Sequence, residues 1–241
     1  MEYGIFHYQH HFYILTNHNA SNFRLMRTHE STTDMSHWQE VIAHREDVLI
    51  EDIDVFSDYL VVTEKSNAQN YIRIIDWRTD TTHYVEFEEE VFHAATGINP
   101  DFNTHQLRFV YQSMTTPISV FEYDMEKRSR KLLKEQEVLG GFDKNHYVAH
   151  RIWVTARDGA KVPMSMVHRK ETAINQETPL LLYGYGSYGI NIDPYFSPSR
   201  ISLLDRGFVF CIAHIRGSQM MGRAWYEDGK MLNKLNTFHD F

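Results

Sequence analysis

The residues best suited to chemistry lie in Pro179-Leu-Leu-Leu-Tyr-Gly-Tyr-Gly-Ser-Tyr-Gly189. An apolar run, Leu180 to Tyr183, breaks into glycines at Gly184, Gly186 and Gly189. Such a run, bounded by turn signals, predicts a strand buried on both faces. Glycines at its end let the backbone turn sharply and approach a ligand closely. Strands of this kind place their chemistry at the carboxyl end. The spacing Gly184-x-Gly186-x-x-Gly189 also matches a dinucleotide fingerprint. The segment Asn191 to Pro198 argues against that, because Pro194 and Pro198 disfavour helix before them and no phosphate-cradling βα turn fits. The better reading is a loop that supplies part of an oxyanion hole, as after the third strand of an α/β-hydrolase.

Other candidate side chains carry less. Ser187 has Tyr185 two residues before it, so it fails the Gly-x-Ser-x-Gly elbow, which is absent throughout; Ser187 reads as structural. His7, His10 and His11 have no cysteine or carboxylate at ligand spacing, so no metal is predicted. His214 closes an apolar strand and reads as a partly buried strand-end histidine. Cys211, inside the run Phe208 to Ala213, reads as a buried small hydrophobe. A single cysteine excludes an intrachain disulfide and suits a reducing compartment.

Composition narrows the partners. The 241 residues are 42% hydrophobic and 14% aromatic, with a net charge of −8. That charge argues against nucleic acid, which wants a basic face. No apolar run approaches the roughly 20 residues of a membrane span. The N-terminus has no secretory leader pattern, and a cytoplasmic protein is expected. Glu86-Phe-Glu-Glu-Glu90 predicts a solvated edge.

The elements that must position the loop begin with a repeat. Strands starting at Phe12, Leu60 and Leu107 recur at offsets of 48 and 47, and partner strands starting at Phe23, Tyr71 and Ile118 keep the same offsets. A period near this, rich in β-branched and aromatic residues, predicts β-propeller blades. Three blades alone cannot bury every face, so more blades are expected outside this chain. Gly140-Gly141 marks a linker. Beyond it, two strands flank Asp158-Gly159, a hairpin signal. The glycine-loop strand follows, then a helical spacing from Ser199 to Arg206 stopped by Gly207, then the strand Phe208 to Ile215. Thr237 to Phe241 begins another helix. The fold predicted is mixed: about three blades of a β-propeller in residues 1–145, then the N-terminal part of an α/β-hydrolase domain in 146–241.

Five motifs in order, Tyr183-Gly-Tyr-Gly-Ser-Tyr-Gly189, Ser202-Leu-Leu-Asp-Arg-Gly-Phe208, His214-Ile-Arg-Gly217, Trp225-Tyr-Glu-Asp-Gly-Lys230 and Asn236-Thr-Phe, resemble the oligopeptidase B branch of the prolyl oligopeptidase family of serine peptidases. Ser113-Met-Thr-Thr-Pro117 resembles it too. The resemblance implies a serine oligopeptidase cleaving short peptides after Arg or Lys, with no cofactor. The Ser-Asp-His triad would lie beyond residue 241, so this chain alone is expected to be inactive. Two site residues carry over. Tyr185 matches the oxyanion-hole tyrosine. Asp193 matches the first of two acids that hold a basic side chain at the second substrate position; Tyr195 stands where the second would be. The loop after Arg216 departs from the family's glycines, with Ser218, Gln219 and Met220. Alternatives are a sister peptidase of different specificity and a non-catalytic propeller module that binds proteins.

Overall fold

Tight polar turns fold residues 1–135 into antiparallel sheets. In the computed structural model, which describes residues 1–241, positive φ falls at strand-joining turns: Gln9, Asn19, Asn67, Ala68, Asp80 and Arg128. Asn67-Ala68 is a two-residue connection with both residues left-handed, which matches the twist of paired strands.

The first sheet runs β1 (Tyr3–Tyr8), β2 (His11–Thr16), β3 (Arg24–His29) and β4 (Gln39–Ile42). The second runs β5 (Leu49–Val55), β6 (Tyr59–Ser66), β7 (Gln69–Asp76) and β8 (Thr81–Tyr84). The third runs β9 (Phe92–Thr96), β10 (Gln106–Ser113), β11 (Ser119–Asp124) and β12 (Ser129–Glu135). Each is a four-stranded meander, and the repeated strands of the sequence are the middle two of each. The apolar clusters form between sheets rather than within them. Leu25, Ile42, Ile53, Leu60 and Val62 join the first to the second. Phe56, Val61, Ile74, Phe109 and Met125 join the second to the third. A blade buries its faces only against its neighbours, as in a propeller.

The fourth sheet is mixed. β13 (Tyr147–Thr155) and β14 (Lys161–Arg169) form the hairpin over Asp158-Gly159. β14 pairs antiparallel with β16 (Val209–Ala213), which pairs parallel with β15 (Leu180–Gly184). Helix α1 (Pro198–Leu204) makes the crossover from β15 to β16, and Gly207, at φ 83°, ends the turn after it. Two short helices follow, α2 (Arg223–Glu227) and α3 (Leu235–Asp240). No helix is long and apolar enough to cross a membrane.

β15 corrects one expectation. It is the sheet edge, and Leu180, Leu181 and Tyr183 are exposed rather than buried on both faces.

The blades and the mixed sheet share a seam. Val91 and Met114 of the third blade pack with Tyr147, Val167, Leu204, Phe210 and Ile212. Polar ties reach every blade. Arg223 N donates to Asn22 Oδ1 at 2.8 Å, Arg151 Nη2 to Ala68 O at 2.8 Å, and Phe196 N to Gln112 Oε1 at 3.2 Å.

Candidate functional site

The glycine loop leaves β15 at Gly184 and is pinned from behind. A Cβ on Gly186 would collide with Arg216 O and come within 2.7 Å of Thr237 Cγ2, so only glycine lets the two backbones approach this closely. Lys234 Nζ donates to Ser187 Oγ at 2.7 Å and to Gly186 O. Gly189 N donates to Gly217 O at 3.0 Å. Thr237 Oγ1 donates to Arg216 O at 2.8 Å. Arg216 is clamped in turn: its Nη2 and Nε meet Asp240 Oδ1 and Oδ2 at 2.6 and 2.9 Å, and its Nη1 meets Asp158 Oδ2 at 2.7 Å. A bidentate guanidinium–carboxylate pair fixes orientation as well as charge. Ser187 is therefore a structural acceptor, held by a lysine that the sequence reading left unassigned.

The loop after Arg216 tolerates its non-glycine residues because the left-handed positions fall on Gly217 and Gly222, at φ 94° and 89°. Ser218, Gln219 and Met220 keep ordinary backbone.

With the loop fixed, Tyr185 stands at the carboxyl end of β15, 36% exposed. A phenol is a donor that can face a developing oxyanion.

Asp193 follows the glycine loop, between Ile192 and Pro194, and is buried. It meets a cation from within the chain. Lys65 Nζ, at the end of β6, is 3.3 Å from Asp193 Oδ1, and His93 Nδ1 of β9 is 3.6 Å from the same oxygen. Tyr195 Oη donates to Asp193 Oδ2 at 3.3 Å. Burial alone would raise the Asp193 pKa, but His93 and the Lys65 charge outweigh it and hold the carboxyl well below the usual range. Burial and the Asp193 charge push the Tyr195 phenol up, keeping it a donor. No spacing signal links Lys65 to Asp193, 128 residues apart.

Three further readings change. His214 is fully buried rather than partly so, with Nε2 2.6 Å from Ser165 Oγ. Burial first, then the Arg151 guanidinium, press its pKa down to about 3. The acidic run is not uniformly solvated. Glu89 accepts from Tyr111 Oη at 2.5 Å, Ser113 Oγ at 2.9 Å, Thr115 Oγ1 at 2.5 Å and Thr116 Oγ1 at 2.9 Å. The Ser113-Met-Thr-Thr-Pro117 motif thus cages a carboxylate with hydroxyls and sends Met114 into the seam. His7 and His10 do have a carboxylate partner, Glu30, at 3.3 and 3.1 Å. Cys211 is buried, as expected, and burial pushes its thiol up to about 11.

Three antiparallel blades followed by a hairpin and a parallel βαβ unit define a partial β-propeller joined to the start of an α/β-hydrolase domain. The family model for the "Prolyl oligopeptidase, N-terminal beta-propeller domain" matches residues 1–136, and that for the "Prolyl oligopeptidase family" matches residues 194–241. The chain belongs to the prolyl oligopeptidase family. It is 43% identical to dipeptidyl aminopeptidase BI of Pseudoxanthomonas mexicana over 92% of this chain and 31% of that protein. It is 35% identical to Protease 2 of Moraxella lacunata over 99% of this chain and 34% of that protein. Oligopeptidase B from Leishmania major superposes with a TM-score of 0.90 at 37% identity, over 99% of this chain and 35% of that one. The chain spans about a third of the length of these relatives.

Proposed function

We propose that this chain is part of a cytoplasmic serine oligopeptidase that hydrolyses short peptides after Arg or Lys through an acyl-enzyme. The division between propeller and peptidase domains falls near residue 145 in this reading. Tyr185 serves as one oxyanion donor, and Asp193 stands at the second substrate position. The carrying observation is the glycine loop: its backbone is fixed by Lys234, Thr237 and Arg216 while Tyr185 stays exposed at the end of β15. Preorganised donors act without reorganisation cost at the moment of reaction, so a pinned loop is what this chemistry requires. The likeness to Protease 2 and to oligopeptidase B supports a peptide substrate. A basic first residue is what the resemblance to the oligopeptidase B branch implies, since no motif of this chain reads that position.

The 43% identity to dipeptidyl aminopeptidase BI favours a second reading, removal of dipeptides from free N-termini. Dipeptidyl arylamides ending in arginine, lysine, proline or alanine, each with free and blocked N-termini, separate the two in the full-length protein. The proposal expects cleavage of blocked arginyl and lysyl substrates at least about 100-fold over prolyl ones, within the range a charge-reading site can reach. Cleavage confined to free dipeptidyl substrates would support the second reading instead.

A further inference from the structure

We infer that Lys65 sets specificity by occupying, from the propeller, the cation position that Asp193 would otherwise offer to a basic second residue of a substrate. The inference rests on the proposed peptidase reading.

A guanidinium or ammonium reaches a carboxylate well only if an oxygen is open to it, and bidentate pairing needs both. Neither oxygen of Asp193 is open. Lys65 Nζ and His93 Nδ1 flank Oδ1 at 3.3 and 3.6 Å. Tyr195 Oη takes Oδ2 at 3.3 Å, with its ring edge-on to His93 at 5.0 Å between centroids. The Asp193 side chain is only 8% exposed.

Lys65 is not free to step aside. Its side chain is 1% exposed, with Glu51 Oε1 at 3.2 Å as second partner and Met220 Sδ at 3.8 Å. Glu51 is itself held by Asn70 Nδ2 at 2.6 Å. An ammonium buried this deeply would give up one of its two carboxylates, and keep only Glu51, if Asp193 turned to a substrate, which is costly away from water. An arriving substrate cation would also meet the positive charge of Lys65 at close range. Tyr195, where a second acid would stand, adds a neutral donor and no compensating charge. The geometry therefore fits substrates whose second residue is neutral, and turns a subsite carboxylate into a tie between the second blade and the peptidase sheet.

The test compares kcat/KM for Arg-Arg and Ala-Arg arylamides in the full-length protein, using the N-terminal form it accepts. Lys65→Met removes the internal cation from Asp193 Oδ1 and leaves Tyr195 on Oδ2; the Arg-Arg to Ala-Arg ratio is expected to rise at least tenfold, mostly through KM. Lys65→Met combined with Asp193→Asn returns the ratio to its starting value. An unchanged ratio in Lys65→Met, or a rise that persists in the double variant, overturns the inference. Should Lys65→Met not fold, Asp193→Asn alone is the measure: a ratio within twofold of the unsubstituted protein supports the inference, and a tenfold fall overturns it. If arginyl substrates are refused but others are cleaved, the first-position reading fails, and the ratio is read on the accepted first residue. If no peptide is cleaved, both the reading and the inference fall.

Discussion

Glu89 and Asp193 sit on the same seam and are satisfied by opposite means. Glu89 stands in a ring of four neutral hydroxyls, all from residues 111 to 116 of the third blade. Asp193 is met by Lys65 and His93, side chains from two different blades. The first arrangement is local: it shapes one turn and thereby aims Met114 at Tyr147, Val167 and Leu204. The second is long-range, and places a buried charge pair where blades and mixed sheet touch. Neutral donors suit a contact that only has to hold a shape. A buried ion pair contributes little net attraction after desolvation but is costly to break on one side. The difference teaches that the hydroxyl cage positions the seam, whereas the ion pair makes its integrity depend on both partners.

Breaking that contrast should give unequal effects. Asp193→Ala leaves Lys65 buried with Glu51 alone, and should lower the stability of the seam by about 3 kcal/mol. The check is thermal or urea unfolding of the full-length protein, and a loss below that of a surface carboxylate contradicts it. Acid sharpens the comparison next. Folded His214 stays neutral down to about pH 3, while an unfolded imidazole takes a proton near 6.5. The unfolded state then binds more protons in that window, so stability is full above pH 6.5 and falls as pH drops toward 3. The His214 contribution is about 1.4 kcal/mol per pH unit. His214→Asn should flatten that slope in unfolding midpoints measured at about pH 7, above the window in which only the unfolded imidazole is charged, and at about 5.5 and 4.5, inside it. Glu89→Gln should act least, at about 1 kcal/mol, because the hydroxyls rotate to other acceptors. A Glu89→Gln loss larger than that of Asp193→Ala, measured the same way, reverses the comparison.

Much of this architecture was legible in the chain. The offsets of 48 and 47 marked β2, β6 and β10 and their partners, because the middle strands of a blade carry the long apolar alternation. The outer strands went unread: β8 and β12 are short or polar, with most of their residues exposed, so they lack a burial pattern. Gly159 and Gly207 marked the hairpin and the helix stop because their left-handed φ, 89° and 83°, favours glycine. The edge exposure of β15 was not legible, since an apolar run reports what a strand is suited to pair with, not what a given chain provides. The site was half legible. Tyr185 and Asp193 stood out by motif, but Lys65, Lys234 and the partners of Glu89 became visible only when topology brought distant segments together. The acidic run misled for the same reason: Glu89 finds its donors 22 to 27 residues downstream.

The most direct test is Tyr185→Phe in the full-length protein, which removes one hydroxyl and keeps the ring. Loss of one oxyanion donor costs about 10²–10³ in kcat, and KM should stay within about threefold. A kcat equal to that of the unsubstituted enzyme would contradict the role assigned to the glycine loop.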